Sequence, residues 1–292
     1  MAIVTRPPEV AIYAAGERSV FVGGYEWVPE DKVDWANTPN PEDDGWADAL
    51  DFLVTKRGPR AEKKGWRSYN VLTDYPGLHL TLAGTPPTRE DVLEFANEYG
   101  QLMEGARTDL DSGQLAESLE MYADHINNLR VAVRLLDVVR GHRSSKAFVS
   151  EERRGFRYRG PSATGLIMPR SSANTPEAAA RDFLTSLIDH QLCGLHVTFP
   201  PRLIWDPKQS SLKLTYPVRH LAGMLWLQLA DAAATGRRFK KCGECGRWFE
   251  LVTKVSERKL FCSQACRSKA YRERKASGQV FEVGYEPGED EV

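Results

Sequence analysis

Four of the five cysteines fall within 25 residues, as Cys242, Cys245, Cys262 and Cys266, and no other feature constrains the fold of this chain so tightly. In a reducing compartment such clustering points to a metal ion rather than to disulfides. Cys242-Gly-Glu-Cys245-Gly246 has the shape of a tight knuckle, in which two sulfurs and nearby backbone amides approach one ion. Two thiolates leave a coordination shell open, and the second pair, Cys262-Ser-Gln-Ala-Cys266, closes it. Ser263 is the natural cap of a helix that would carry Cys266 in its first turn. The sixteen residues between Cys245 and Cys262 are enough for a β-hairpin, with Trp248, Phe249, Leu251 and Val252 on one arm and Leu260-Phe261 on the other. Four sulfurs in a tetrahedron are what structural Zn2+ takes, with no open position for a reactive water, so the site is expected to be structural and not catalytic. The fifth cysteine, Cys193, follows an apolar helical pattern and reads as a small buried hydrophobe.

Charge separates this region from the rest of the chain. The formal net charge is -1, yet Arg237 to Lys275 carries thirteen Lys+Arg against four Asp+Glu. Four thiolates on one zinc ion would contribute about -2 and still leave the segment strongly cationic. Beyond Cys266 a helix continues through Arg267-Ser-Lys-Ala-Tyr-Arg-Glu-Arg-Lys275. At about 100° per residue, Cys266, Ala270 and Glu273 share the side turned to the metal. Arg267, Lys269, Arg272, Arg274 and Lys275 fan around the remainder with Tyr271, and Arg258 and Lys259 add to the same small body. A module of this size cannot bury such charge, so the basic residues must face solvent or a polyanion.

The remaining residues, 1–236, predict one α+β domain, mostly helical with short strands. Residues 1–40 mix Ser19-Val-Phe-Val22 and Tyr25-Glu-Trp-Val28 with Pro and Gly, which suits either a small sheet or a draped arm. Trp46 to Lys56 reads as a short helix, and Leu78-His-Leu-Thr-Leu82 alternates as a strand would. Thr88-Arg-Glu-Asp91 opens a helix that ends at Gly100. Leu115, Leu119, Tyr122, Ile126, Leu129, Val133 and Leu136 then recur on a helical period. This long amphipathic helix over 115–139 is expected to pack in the core, with a homodimeric coiled coil as the alternative. Arg153-Arg-Gly-Phe-Arg-Tyr-Arg159 reads as an exposed strand or loop, although interleaved arginines and aromatics can also hold nucleic acid. Thr175-Pro176-Glu177 opens a further helix closing near Gly194. Leu195–Phe199, Leu203–Trp205 and Leu212–Tyr216 read as strands, and Pro217 opens an apolar helix that Gly236 ends. No run approaches the roughly 18 apolar residues needed to cross a bilayer, and Met1-Ala-Ile-Val-Thr-Arg6 lacks an apolar signal core. A cytoplasmic protein with no membrane partner is the expectation.

Residues 242–275 resemble the treble-clef zinc modules of bacterial CGNR-type zinc-finger proteins, which carry such a module behind an α-rich domain. The resemblance rests on Cys242, Cys245-Gly246, Trp248-Phe249, Arg258-Lys-Leu-Phe261, Cys262-Ser263, Cys266 and the basic helix. At the name-giving motif the chain has Cys266-Arg-Ser-Lys269 in place of Cys-Gly-Asn-Arg. The resemblance implies a transcription regulator that binds DNA. The chain thus divides into residues 1–236, a zinc finger over 237–278, and an acidic tail over 279–292 that could fold back on the basic helix. Arg258, Lys259, Arg267, Lys269, Tyr271, Arg272, Arg274 and Lys275 are the candidate nucleic-acid contacts. A zinc-stabilised protein adaptor is the competing expectation. An enzyme is not expected, because the histidines (His79, His125, His142, His190, His196 and His220) have no nucleophile or carboxylate motif beside them and none lies within the module.

Overall fold

The computed structural model describes residues 17–21, 25–29, 51–55, 66–103, 117–153, 155–158, 167–169, 174–194, 202–206, 211–215, 218, 220–252 and 258–277. The expected strand over 195–199 and the tail over 279–292 lie outside these residues. The chain forms two compact units, Met1–Arg237 and Arg238–Val292, and both combine helices with short antiparallel strands.

The first unit is built around α4, Leu119–Val139. Its side chains Tyr122, Ile126, Leu129, Leu135 and Leu136 are buried against α2 (Leu78–Gly84), α5 (Pro176–Gly194) and α6 (Leu221–Thr235). The apolar stripe that a coiled-coil partner would need is therefore covered by helices of the same chain, and only Val139 at its end is exposed. Polar caps begin two of these helices where the sequence places them, at Thr88 and Thr175, whereas the helix expected over 115–139 opens later, after Ser118. The Thr88 hydroxyl accepts the Asp91 N–H at 3.2 Å to open α3 (Arg89–Tyr99), Ser118 accepts Met121 N–H at 3.1 Å ahead of α4, and Thr175 accepts Ala178 N–H at 3.1 Å in α5. Gly100, at φ 88°, and Gly236, at φ 71°, end α3 and α6 in the left-handed region that glycine enters without strain. Arginines from α4 and its end satisfy other helix carbonyls: Arg130 donates to Ala83 O at 2.7 Å, and Arg140 donates to Ala232 O at 2.6 Å.

Small antiparallel sheets complete this unit. The pair β1 (Glu17–Phe21) and β4 (Trp66–Asn70) forms one, and β2 (Tyr25–Pro29), β3 (Asp51–Thr55) and β5 (Glu117–Ser118) form a second in that order. Tyr25 N–H donates to Asn97 Oδ1 at 3.1 Å and Trp27 Nε1–H to Arg89 O at 2.9 Å, which ties β2 to α3. The arginine-rich segment forms the β6–β7 hairpin (Val149–Glu152 and Gly155–Tyr158) with β8 (Ile167–Pro169) alongside. There Phe156 and Tyr158 point into the core, whereas Arg157 is exposed and paired with Glu152 at 2.9 Å. Finally β9 (Arg202–Asp206) pairs with β10 (Ser211–Thr215).

Several sequence expectations are overturned. Leu78–Leu82 is the helix α2 and not a strand, because Leu78, His79, Leu82 and Ala83 all turn into the core at helical spacing; a five-residue alternation fits both periods. The segment expected as a helix over 46–56 holds strand β3, where Leu53 is fully buried between neighbouring strands. Cys193 is exposed near the end of α5. The apolar helix that Gly236 ends is α6 as expected, and Nδ1 of His220 accepts the Gly223 N–H at 2.9 Å and serves as its cap.

Buried polar groups fix the register of the helices. Gln228 on α6 donates from Nε2 to Val71 O and Tyr75 O, both at 2.8 Å. That orientation leaves Oε1 as acceptor for His79 N–H at 3.2 Å and for His79 Nδ1 at 3.3 Å, so Nδ1 carries the ring proton. Glu117 is fully buried and its carboxylate accepts the backbone N–H groups of Leu102 and Met103. Burial holds His79 down at about 4, against the hydrogen bond it donates to Gln228, which opposes the shift. His125 is likewise lowered to about 4 by burial and by His220 nearby.

Two outcomes follow. The unfolded chain takes up protons at these histidines near pH 6.5 while the folded protein resists until about 4. Stability is therefore complete above about 6.5 and falls as pH drops towards 4, by about 3 kcal/mol per histidine at the limit. Thermal melts across this range should show the decline, and a His125→Leu variant should show a shallower one; identical slopes would exclude a buried neutral His125. Gln228→Leu removes the bonds to Val71 O, Tyr75 O and His79 and should destabilise the unit by about 2–4 kcal/mol in denaturant titrations.

Candidate metal centre

The second unit has little apolar matter to hold it together. Among its described residues only Cys242, Phe249 and Ala270 are buried hydrophobics. Strand β11 (Arg238–Lys241) pairs antiparallel with β12 (Trp248–Leu251), Arg238 opposite Leu251 and Lys241 opposite Trp248. The knuckle is the loop of this hairpin. The expected hairpin differs: the partner of the Trp248 arm is the strand before the first cysteine, and Leu260-Phe261 is not a strand. The knuckle itself closes with Cys242 N–H donating to Arg247 O at 2.8 Å and Gly246 N–H to Cys242 O at 3.1 Å. Gly246 adopts φ 70°, which is why a glycine follows the second cysteine. Leu260 still reaches the knuckle through its backbone, where its carbonyl accepts Gly243 N–H at 2.9 Å.

The second cysteine pair arrives on α7, Gln264–Ala276. Ser263 caps it, its hydroxyl accepting Cys266 N–H at 3.2 Å, and this fixes Cys266 in the first turn. All four Sγ atoms of Cys242, Cys245, Cys262 and Cys266 lie within 4.8 Å of one another. Cys262 Sγ is 3.6 Å from both Cys245 Sγ and Cys266 Sγ. These separations are far too long for disulfides, whose sulfurs sit about 2.05 Å apart. They match the spacing of about 3.8 Å between sulfurs set at about 2.3 Å around a tetrahedral ion. The donor set and its geometry fit one metal ion with no place left for water.

The thiols also respond unequally. Burial resists ionisation of Cys242, but N–H groups of Cys245, Cys262 and Glu244 overcome it and draw the thiol down to about 6. Burial and then the sulfurs of Cys266, Cys245 and Cys242 push Cys262 up to about 12. Cys245 is raised, first by burial. One thiolate is readily accommodated and further negative charge is opposed, so four thiolates at this spacing require a cation among them.

The basic residues are disposed around α7 and the knuckle in distinct ways. Lys269 lies against the inner edge, 2.8 Å from the mostly covered carboxylate of Glu244 and 3.5 Å from Glu273. The hydrogen bond to Glu244 holds its ammonium above the usual range. Arg274 donates from Nε to Ala270 O at 2.9 Å and sits over the Phe261 ring at 6.0 Å. Lys259 stands over Phe249 at 5.3 Å. Arg258, Arg267, Arg272 and Lys275 are exposed, as is Tyr271 at 62%. Ala270 is buried as expected of the inner side, whereas Glu273 is exposed at its edge and pairs with Lys269. Sequence reasoning missed Glu244. Its signal was position, between the two knuckle cysteines and across from the helix.

No helix among the described residues is long and apolar enough to cross a membrane. No protein-family model matches the chain, and no curated protein is significantly similar to it.

The purified full chain should contain one metal ion per molecule by elemental analysis. Cys262→Ser or a strong chelator should release it and make α7 susceptible to limited proteolysis, while full protection of metal-free α7 would show that the unit folds without the ion.

Proposed function

We propose that the ion held by Cys242, Cys245, Cys262 and Cys266 is structural Zn2+ and that the second unit binds nucleic acid, with duplex DNA the first choice, making the chain a DNA-binding transcriptional regulator. The all-sulfur tetrahedral set supports zinc. The closed coordination shell and the absence of histidine from residues 238–292 give the unit no catalytic role. The observation that carries the nucleic-acid reading is the segregation of charge on α7. Its acidic neighbours are gathered on the inner edge around Lys269, and Arg267, Arg272 and Lys275 stand in solvent with Tyr271 among them. A rigid cationic helix of this kind suits a partner with regularly spaced phosphates, because each neutralised phosphate releases condensed counterions.

One observation favours a second reading, a zinc-stabilised protein adaptor. Val252 and Leu260 are exposed at 80% and 57%, and two large apolar side chains on so small a unit suit a protein partner. Leu260→Asp should abolish capture of such a partner and leave DNA binding intact.

The test of the first reading is fluorescence anisotropy with the zinc-loaded chain and a random duplex at two salt concentrations. Binding should weaken steeply with salt. Arg267→Ala with Arg272→Ala should reduce affinity by about tenfold or more and flatten the dependence of log K on log salt by about 1.8, at about 0.9 per phosphate contact. Cys262→Ser should abolish binding. Absence of binding to any duplex or single strand at low salt would reject the proposal.

A further inference from the structure

The basic helix is not evenly cationic, and its pattern identifies which residues would meet which part of a duplex. Successive residues turn by about 100° and rise about 1.5 Å. Gln264, Ser268, Tyr271 and Lys275 therefore fall within about 60° of one another and form a strip about 16 Å long. This strip lies opposite the side that carries Cys266 and buried Ala270, and all four of its residues are exposed. Arg267 borders the strip on one flank and Arg272 on the other, both exposed. The two acids nearest the helix, Glu244 and Glu273, are held away from it by Lys269 on the inner edge.

From this arrangement we infer that α7 is a base-reading helix that enters the major groove of duplex DNA, with Gln264, Ser268, Tyr271 and Lys275 facing base edges and Arg267 and Arg272 gripping phosphates on the two walls. The inference rests on the nucleic-acid reading of the unit and specifies its substrate as a sequence of duplex. Three features carry it. First, an α-helix with its side chains measures about 10–12 Å across, and the groove is about 12 Å wide. Second, the central strip consists of hydrogen-bonding side chains and one aromatic ring, whereas permanently charged guanidinium groups border it. A helix that only coats phosphates would gain nothing from uncharged Gln264 and Ser268 at its centre. Third, the strip spans the rise of about five base pairs at about 3.4 Å each. Glutamine pairs in bidentate fashion with adenine N6 and N7, lysine with guanine O6 and N7, serine with either, and an apolar ring face meets the thymine methyl. The Glu244–Lys269 pair then acts as a positioning contact, joining the helix to the knuckle so that the strip keeps its direction.

The test is selection from a randomised duplex library with the zinc-loaded full chain, followed by titration of variants whose metal content is intact. The expected result is a short consensus. Gln264→Ala should erase the preference for adenine at one position, lowering affinity for the consensus by about tenfold while leaving the salt dependence unchanged. Arg267→Ala and Arg272→Ala should instead weaken consensus and random duplex equally, each flattening the salt dependence by about 0.9. A duplex bound without any consensus, a consensus that survives Gln264→Ala, or displacement of duplex by single strand would overturn the base-reading assignment and leave nucleic-acid binding standing. Failure to bind any nucleic acid would remove the parent reading along with it.

Discussion

Convergence of four sulfurs is the interaction on which the second unit depends. Phe249 and Ala270 supply too little buried apolar surface to offset the entropy of ordering the described residues from 238 to 277. The sulfurs solve this in a way that hydrophobic contacts could not. Drawn to within 4.8 Å of one another, they hold the turn of the β11–β12 hairpin to the first turn of α7, two segments distant in sequence. The same convergence is electrostatically unfavourable without a cation, as the opposite displacements of Cys242 and Cys262 show. Capture of a cation by these sulfurs would thus be coupled to folding of this unit.

A second consequence concerns the helix. Because Cys266 faces the other three sulfurs and Ser263 caps the first turn, the rotation of α7 about its axis is set at its N-terminal end. Every later residue inherits its direction from that anchor. Ala270 turns inward and is buried, and Lys269 comes opposite Glu244. The exposed pair carries little stability of its own; its importance lies in orientation. The cysteine cluster, the cap and one ion pair together decide which basic residues stand in solvent.

How much of this was legible in the sequence depended on the range of the interaction. The metal ligands, the Ser263 cap and helices α3, α4 and α5 rest on patterns within a few residues or on long periods, and these were visible. Arg130 and Gln228 left no local signal, because their partners lie at Ala83 and Val71. The reading of Leu78–Leu82 as a strand failed for want of length, since Leu78 and Leu82 share a face at both periods. Strand β3 was missed because its conformation comes from pairing with β2 and β5 and not from its own residues. The hairpin in the second unit was recognised on one arm only, since Arg238–Lys241 carries charge at three of its four positions and so lacks the alternation that marks a buried strand. Lys269 looked like its basic neighbours, and only the fold brought Glu244 to it.

The two units are stabilised by opposite means. In the first, α4 buries its apolar stripe among α2, α5 and α6, and the polar Gln228 is held inside by two carbonyls and His79. Its surface is left acidic in balance, since all the chain's excess positive charge lies in residues 237–275. In the second unit the interior is four sulfurs, and nearly all other side chains can remain outside. A metal-centred module can therefore carry a density of arginine and lysine that a hydrophobic core of equal size could not, because its folding does not require apolar residues at the positions those cations occupy. The excess of positive charge and the cysteine quartet are for this reason linked: an ion held by the four sulfurs would free the outer face of α7 for Gln264, Arg267, Tyr271, Arg272 and Lys275.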